Sequence, residues 1–175
     1  MPALHIVSAP DPRLKEISTP VSEVNNEIKK LIKDMIDTMH IDFGVGLAAI
    51  QVGVPKQILV VDLAEDDETE RPEGFYPLCL INPQIIWQSD EMNVATEGCL
   101  SVPTLRIDVP RPSKIKVKYL NEEGVPSDLE ADGWLARVIQ HEMDHLSGKL
   151  IIDYLSTIKR DLAISKLKKF KKQIL

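Results

Sequence analysis

The stretch "VIQHEMDHLSGKL", residues 138–150, holds His141-Glu142-x-x-His145 inside a segment of helical periodicity running from about Asp132 to Ser147. Gly148 follows where a helix C-cap is expected. On a helix, His141 and His145 lie one above the other, so both imidazoles can bind one ion. Glu142 sits about 100° further round the helix. From there it reaches a water at that ion without being a ligand, which suits a general base that later acts as general acid. The competing reading is a surface helix on which His and Glu coincide. Asp144 reads equally as a surface carboxylate or as an outer partner of the site.

A catalytic metal site needs a third protein ligand and an open position. No histidine follows His145, and the downstream carboxylates Asp153 and Asp161 are weak candidates. The better one lies upstream in "EGCLSVP", where Cys99 follows Gly98, a residue that allows close backbone approach. Cys79, in the apolar run "PLCLINP", reads as a small buried hydrophobe. His5 and His40 lack ligand spacing and read as ordinary surface or core residues. A Cys-His-His donor set accepts Fe(II), Zn, Co or Ni, and spacing does not choose among them. Gln51 offers an amide donor on a glycine-rich loop, able to face a carbonyl oxygen under attack; the alternative is a loop-stabilising glutamine.

Upstream, Ile28, Leu31, Ile32, Met35, Ile36 and Met39 recur at helical spacing, predicting an amphipathic helix over about 23–40 with Ser22 as its cap. "FGVGLAAIQVGVP" (43–55) reads as a shaped loop. "QILVVDL" (57–63) and "LCLINPQII" (78–86) read as strands, and "AEDDETERPEG" between them as a solvated surface connection. "KIKVKYL" (114–120) alternates like a half-buried strand, its lysines on the wet face. The tail forms a basic helix with Ala163, Leu167, Phe170 and Ile174 on one stripe.

The 175 residues, 43% of them apolar, suffice for one domain spanning 1–175, and no linker or repeat divides them. A net charge of -6 disfavours a dedicated nucleic-acid binder. The chain has no long apolar run and no signal-like start, so a cytoplasmic protein with reduced cysteines and no membrane partner is expected.

Three separated motifs, "GVGLAAIQ" (44–51), "EGCLS" (97–101) and "QHEMDH" (140–145), together resemble peptide deformylase in composition, order and separation. The similarity extends from "DPRL" (11–14) to the helical tail. The resemblance implies an α+β fold, with antiparallel β-sheets packed around a central metal-binding helix, an N-terminal amphipathic helix and a C-terminal helix. It implies a metal-dependent hydrolase that removes the N-formyl group from the initiator methionine of nascent polypeptides and releases formate.

On this chain the resemblance implies Cys99, His141 and His145 as ligands, Glu142 as the proton carrier, and Gln51 with the Leu100 N–H as oxyanion donors. It implies Fe(II) as the native ion, with Zn, Ni or Co as alternatives. The peptide would lie along Val45 and Gly46 as an added strand. The methionine pocket would lie beside the metal helix, where Trp134, Arg137 and Val138 share the face of His141. Arg137 departs from the aliphatic residue common there, and its stem is expected to cover apolar surface while the guanidinium reaches water. Glu97 and Arg111 match a pair that braces the cysteine loop. The basic terminal helix matches a region used for ribosome docking, against the plainer reading of a solvated lysine-rich helix. The rival functions are a metallopeptidase with the same water-activating site and a non-catalytic, metal-stabilised, ribosome-associated protein.

Overall fold

The computed structural model describes residues 3–174. Helix α1 (Asn26–Ile41) opens where the Asn25 carboxamide oxygen accepts from the Ile28 N–H at 3.0 Å. Asn25, not Ser22, is therefore the cap, and the helix begins three residues later than its apolar pattern alone suggests. The segment expected as a loop folds instead into strand β1 (Gly46–Ala48) and a 3-10 turn (Ala49–Val52). Strands β2 (Ile58–Val61) and β3 (Leu78–Gln88) follow the two apolar runs.

The chain then forms β4 (Met92–Cys99), β5 (Val102–Pro112), β6 (Lys114–Leu120), β7 (Pro126–Asp132), α2 (Gly133–Leu146) and α3 (Thr157–Gln173). A five-stranded antiparallel sheet has the order β1-β2-β3-β6-β7, and β4 and β5 form a separate hairpin. The architecture is α+β.

Strand alternation explains the layers. In β2 and β3, Leu59, Val61, Leu78 and Leu80 join Leu135 and Ile139 of α2 in one core. Their neighbours Ile58, Val60, Cys79 and Ile81 join Ile28, Ile32, Met35 and Met39 of α1 in another. A sheet covered on both faces has strands that read as unbroken apolar runs. A third core joins Val102, Ile107 and Val109 of β5 to Leu150, Ile151 and Ile152 and to Ala163 and Leu167 of α3. Helix α2 lies between the large sheet and the hairpin, and ten of its fourteen residues are buried. Each large aliphatic side chain buried there stabilises the fold by roughly 1.5–3 kcal/mol.

Strands β4, β5 and β7 were not apparent from apolar pattern. Pro103, Pro110 and Pro112 argue against a strand, yet β5 pairs on one side only, where proline is tolerated. β7 carries few apolar residues, but Lys114, Lys116 and Lys118 of β6 lie opposite Asp132, Glu130 and Asp128. That complementary charge order was the available signal. The stripe on α3 is partly as expected: Ala163 and Leu167 are buried, whereas Ile174 lies beyond the helix and is exposed. No helix among the described residues is long and apolar enough to cross a membrane.

Candidate metal centre

Two elements meet at the site. Cys99 ends β4, and the two-residue turn Leu100–Ser101 returns the chain to β5 with Cys99 opposite Val102. His141 and His145 project from buried α2. One donor atom from each of Cys99, His141 and His145 lies within 4.8 Å of the others, with Cys99 Sγ 3.5 Å from His145 Nε2. The imidazole centroids are 5.2 Å apart. The nearest atoms to an added Cβ at Gly98 belong to the Arg106 side chain, at 3.5 Å or more, so protein contacts alone do not demand a glycine there.

Glu142 is 3% exposed, with Oε2 3.9 Å from His141 Nε2 and Oε1 4.0 Å from His145 Nε2. Its Oε1 is buried with no hydrogen-bond partner, as is His145 Nδ1. A buried carboxylate with an open lone pair beside two imidazoles and a sulfur fits a cation and its water. Burial pushes the Glu142 carboxyl up to about 7, more than His141 and Arg111 pull it down. The two histidines diverge. Burial lowers His145 well below its ordinary value, whereas at His141 the same burial is outweighed by Glu142, Cys99 and Glu97, which raise it. The negative groups gather on the His141 side, while His145 is held neutral, the form in which an imidazole binds a metal.

Glu97 organises the surroundings. Its Oε1 accepts from His141 Nδ1 at 2.9 Å and Arg111 Nη2 at 2.8 Å, and its Oε2 accepts from Arg111 Nε at 2.6 Å. Burial opposes its charge, but Arg111 and His141 outweigh it and hold the carboxyl at about 2. The bond to Nδ1 leaves His141 Nε2 free for a metal. Asp144 proves to be an outer partner, accepting from Arg111 Nη1 at 2.9 Å and from the Tyr154 hydroxyl at 2.6 Å.

Arg137 departs from expectation. It is 5% exposed, and its guanidinium does not reach water: Nη1 donates to Glu97 Oε2 at 2.5 Å and to the Val109 carbonyl at 2.8 Å. Nη2 donates to the Asn93 carbonyl at 3.1 Å and to the Asn93 side chain. The physical reason is that this flank of α2 packs on the β4–β5 hairpin and not on solvent.

Val138 and Trp134 stay apart from that cluster. A Cβ at Gly46 would lie 2.9 Å from Val138 Cγ1 and 2.5 Å from Glu142 Oε2, so β1 passes directly over the acid. Trp134 is 54% exposed in the first turn of α2. β1 is a sheet edge. The Val45 carbonyl is taken by the Asp62 N–H at 2.9 Å, so by strand alternation Gly46 turns its backbone groups to the free edge.

Gln51 is buried, with Oε1 accepting from the Ala48 N–H at 2.9 Å and Nε2 donating to Ser101 Oγ at 3.0 Å, 3.6 Å from Cys99 Sγ. Leu100 is half-buried on the turn beside Gly44. Ser101, Asn93 and Tyr154 were missed as site residues; only Ser101 carried a signal, its place beside Cys99. Cys79 is buried in β3, its thiol pushed up to about 12 by burial, and His5 is exposed, with no part in the cluster. His40 pairs with Asp62 at 2.8 Å.

A family model described as "Polypeptide deformylase" matches residues 3–161. The peptide deformylase of Rickettsia akari (strain Hartford) is 53% identical over 174 residues, 99% of either chain. The crystal structure of peptide deformylase from Ehrlichia chaffeensis in complex with actinonin superposes with a TM-score of 0.90 at 48% identity, covering 97% of this chain and 98% of that one. A crystal structure of a peptide deformylase from Legionella pneumophila gives 0.87 at 39% identity, covering 98% and 97%.

Proposed function

The chain belongs to the peptide deformylase family, and from that premise we propose that Cys99, His141 and His145 hold one divalent metal while Glu142 carries the proton. The reaction is hydrolytic removal of the N-formyl group from the initiator methionine of nascent polypeptides, releasing formate. The observation that carries the residue assignment is the convergence of the three donors around a buried carboxylate with an unpartnered oxygen.

When bound, the metal supplies Lewis acidity and lowers the pKa of a water at neutral pH. Glu142 takes a proton from the attacking water as its oxygen bonds the formyl carbon. It returns that proton to the amine nitrogen as the C–N bond breaks, so formate leaves and a free amino terminus remains. A carboxyl held near neutrality by burial suits both transfers, and a neighbouring cation favours its ionised, basic form. Gln51 Nε2 donates to Ser101 Oγ and, more weakly, to Cys99 Sγ at 3.6 Å; with the thiolate held by the metal, the hydrogen on sulfur would turn to the developing oxyanion, joined by the Leu100 N–H. The formylated peptide adds along the edge at Val45 and Gly46, with its methionine beside Val138 and Trp134. Arg137 acts behind this surface rather than on it.

Fe(II) is the native ion in this reading, with Zn, Ni or Co accepted by the same donors. A thiolate ligand makes the iron form sensitive to oxygen. Residues 1–175 act as one catalytic unit in the cytoplasm, where formylated chains emerge, and the basic face of α3 docks on the ribosome. Formate release from formyl-Met-Ala-Ser, with no cleavage of unformylated Met-Ala-Ser, is the expected result. Cleavage of the unformylated peptide would favour the metallopeptidase instead.

A further inference from the structure

Arg137 makes four hydrogen bonds that all cross from α2 to the β4–β5 hairpin. The hairpin carries Cys99 and the helix carries His141 and His145. Arg137 therefore ties together the two elements on which the donors stand. It also shares Glu97 Oε2 with Arg111 Nε, while Oε1 faces His141 Nδ1. A carboxylate with donors on both oxygens cannot rotate without breaking several charge-assisted bonds at once.

We infer that Arg137 is a positioning residue for the metal centre, fixing the Glu97 carboxylate and hence the His141 imidazole, and holding Cys99 at bonding distance from the helix. The inference rests on the reading that Cys99, His141 and His145 are the ligands. Lysine is a poor substitute, because a single ammonium cannot span Glu97, Val109 and Asn93 as a planar fork does. It would, however, keep a positive charge near Glu97.

The test uses wild type, Arg137→Met and Arg137→Lys, stripped of metal and titrated anaerobically with Co2+ and with Zn2+ against a competing chelator. Cobalt absorption spectra report ligand geometry, and thermal unfolding of the metal-free forms reports the fold. Loss of the residue that contacts a ligating histidine weakens metal binding by about 10–100-fold. Because Arg137 acts one step further out, through Glu97, its loss should weaken binding by about 10-fold, the lower end of that range. Arg137→Met should show that loss and an altered cobalt spectrum, and Arg137→Lys should recover part of both. A folded Arg137→Met that binds Co2+ with wild-type affinity and spectrum would overturn the inference. If Arg137→Met does not fold, Arg137→Lys decides alone: severalfold weaker binding supports the positioning role, and wild-type affinity overturns it. Wild type taking up no Co2+ would overturn the ligand assignment, and this inference with it.

Discussion

At the scale of single residues, Glu142 is the group whose chemistry depends most on burial. Its carboxyl is enclosed, lies about 4 Å from both imidazoles and has one oxygen without a partner. Glu142→Gln keeps the shape and removes the proton carrier. Turnover should fall by at least about 10²–10⁴-fold, while metal content stays at the wild-type level, both measured on the same preparation. Full activity in that variant would remove Glu142 from the mechanism. The juxtaposition of Glu142 with the two histidines was legible because the motif packs all three into five residues of one helix. Arg137 was not. Its role depends on what lies across from position 137, and helical periodicity does not report the far partner.

At the scale of elements, β1 and α2 touch where the chemistry is proposed. Gly46 is the residue that permits this, since an added Cβ would lie 2.5 Å from Glu142 Oε2. Gly46→Ala should leave the fold intact and reduce formate release by about 10²-fold, the usual consequence of an ångström-scale displacement of a catalytic group. Turnover equal to wild type, with an unchanged melting temperature, would mean that the acid is not held against this strand.

The acidic segment before β3 is also more than solvated surface. Asp67 accepts from the Tyr76 hydroxyl at 2.6 Å and from Arg71 Nε at 2.8 Å. Burial raises its pKa, but Tyr76, Arg71 and the Thr69 N–H outweigh burial and bring it from 3.8 to about 2. The folded value lies below the unfolded one, so ionised Asp67 adds stability above about pH 4 that fades as pH falls toward 2. Asp67→Asn should cost about 1–2 kcal/mol at pH 7, and denaturant titrations should show the gap to wild type closing below pH 4. A gap that stays constant with pH would contradict the ion pair's part in stability. Composition alone did not separate Asp67 from its acidic neighbours, because it does not report how the chain turns to bring Thr69, Arg71 and Tyr76 onto that one carboxylate.

At the scale of the whole molecule, the fold was legible where burial is one-sided or complete: α1, α2, β2, β3 and β6. It was illegible in β4, β5 and β7, where polar residues and prolines fill the strands and pairing, not apolar pattern, defines them. Because apolar pattern does not reveal the β4–β5 hairpin, it leaves one flank of α2 facing solvent and cannot place the partners of Arg137. The same hairpin constrains how ribosome docking can be tested. Ala163 and Leu167 of α3 share a core with β5, so removing residues 156–175 would strip the sheet that holds Cys99. Charge reversal of the exposed Lys166, Lys169 and Lys172 avoids this. It should abolish co-sedimentation with ribosomes while formate release from a short peptide stays within about twofold, as expected of surface positions. Undiminished co-sedimentation would reject docking through this helix.

The central claim is that one metal at Cys99, His141 and His145 drives N-formyl hydrolysis. It is tested most directly by purifying the protein without oxygen, removing its metal, and restoring Fe(II) stepwise while formate release from formyl-Met-Ala-Ser is followed. Activity should be absent from the stripped protein, rise linearly with added metal and level off at one equivalent per chain, with no uptake by a Cys99→Ala, His141→Ala double variant. Formate release by the stripped protein, or saturation by metal without formate release, would contradict it.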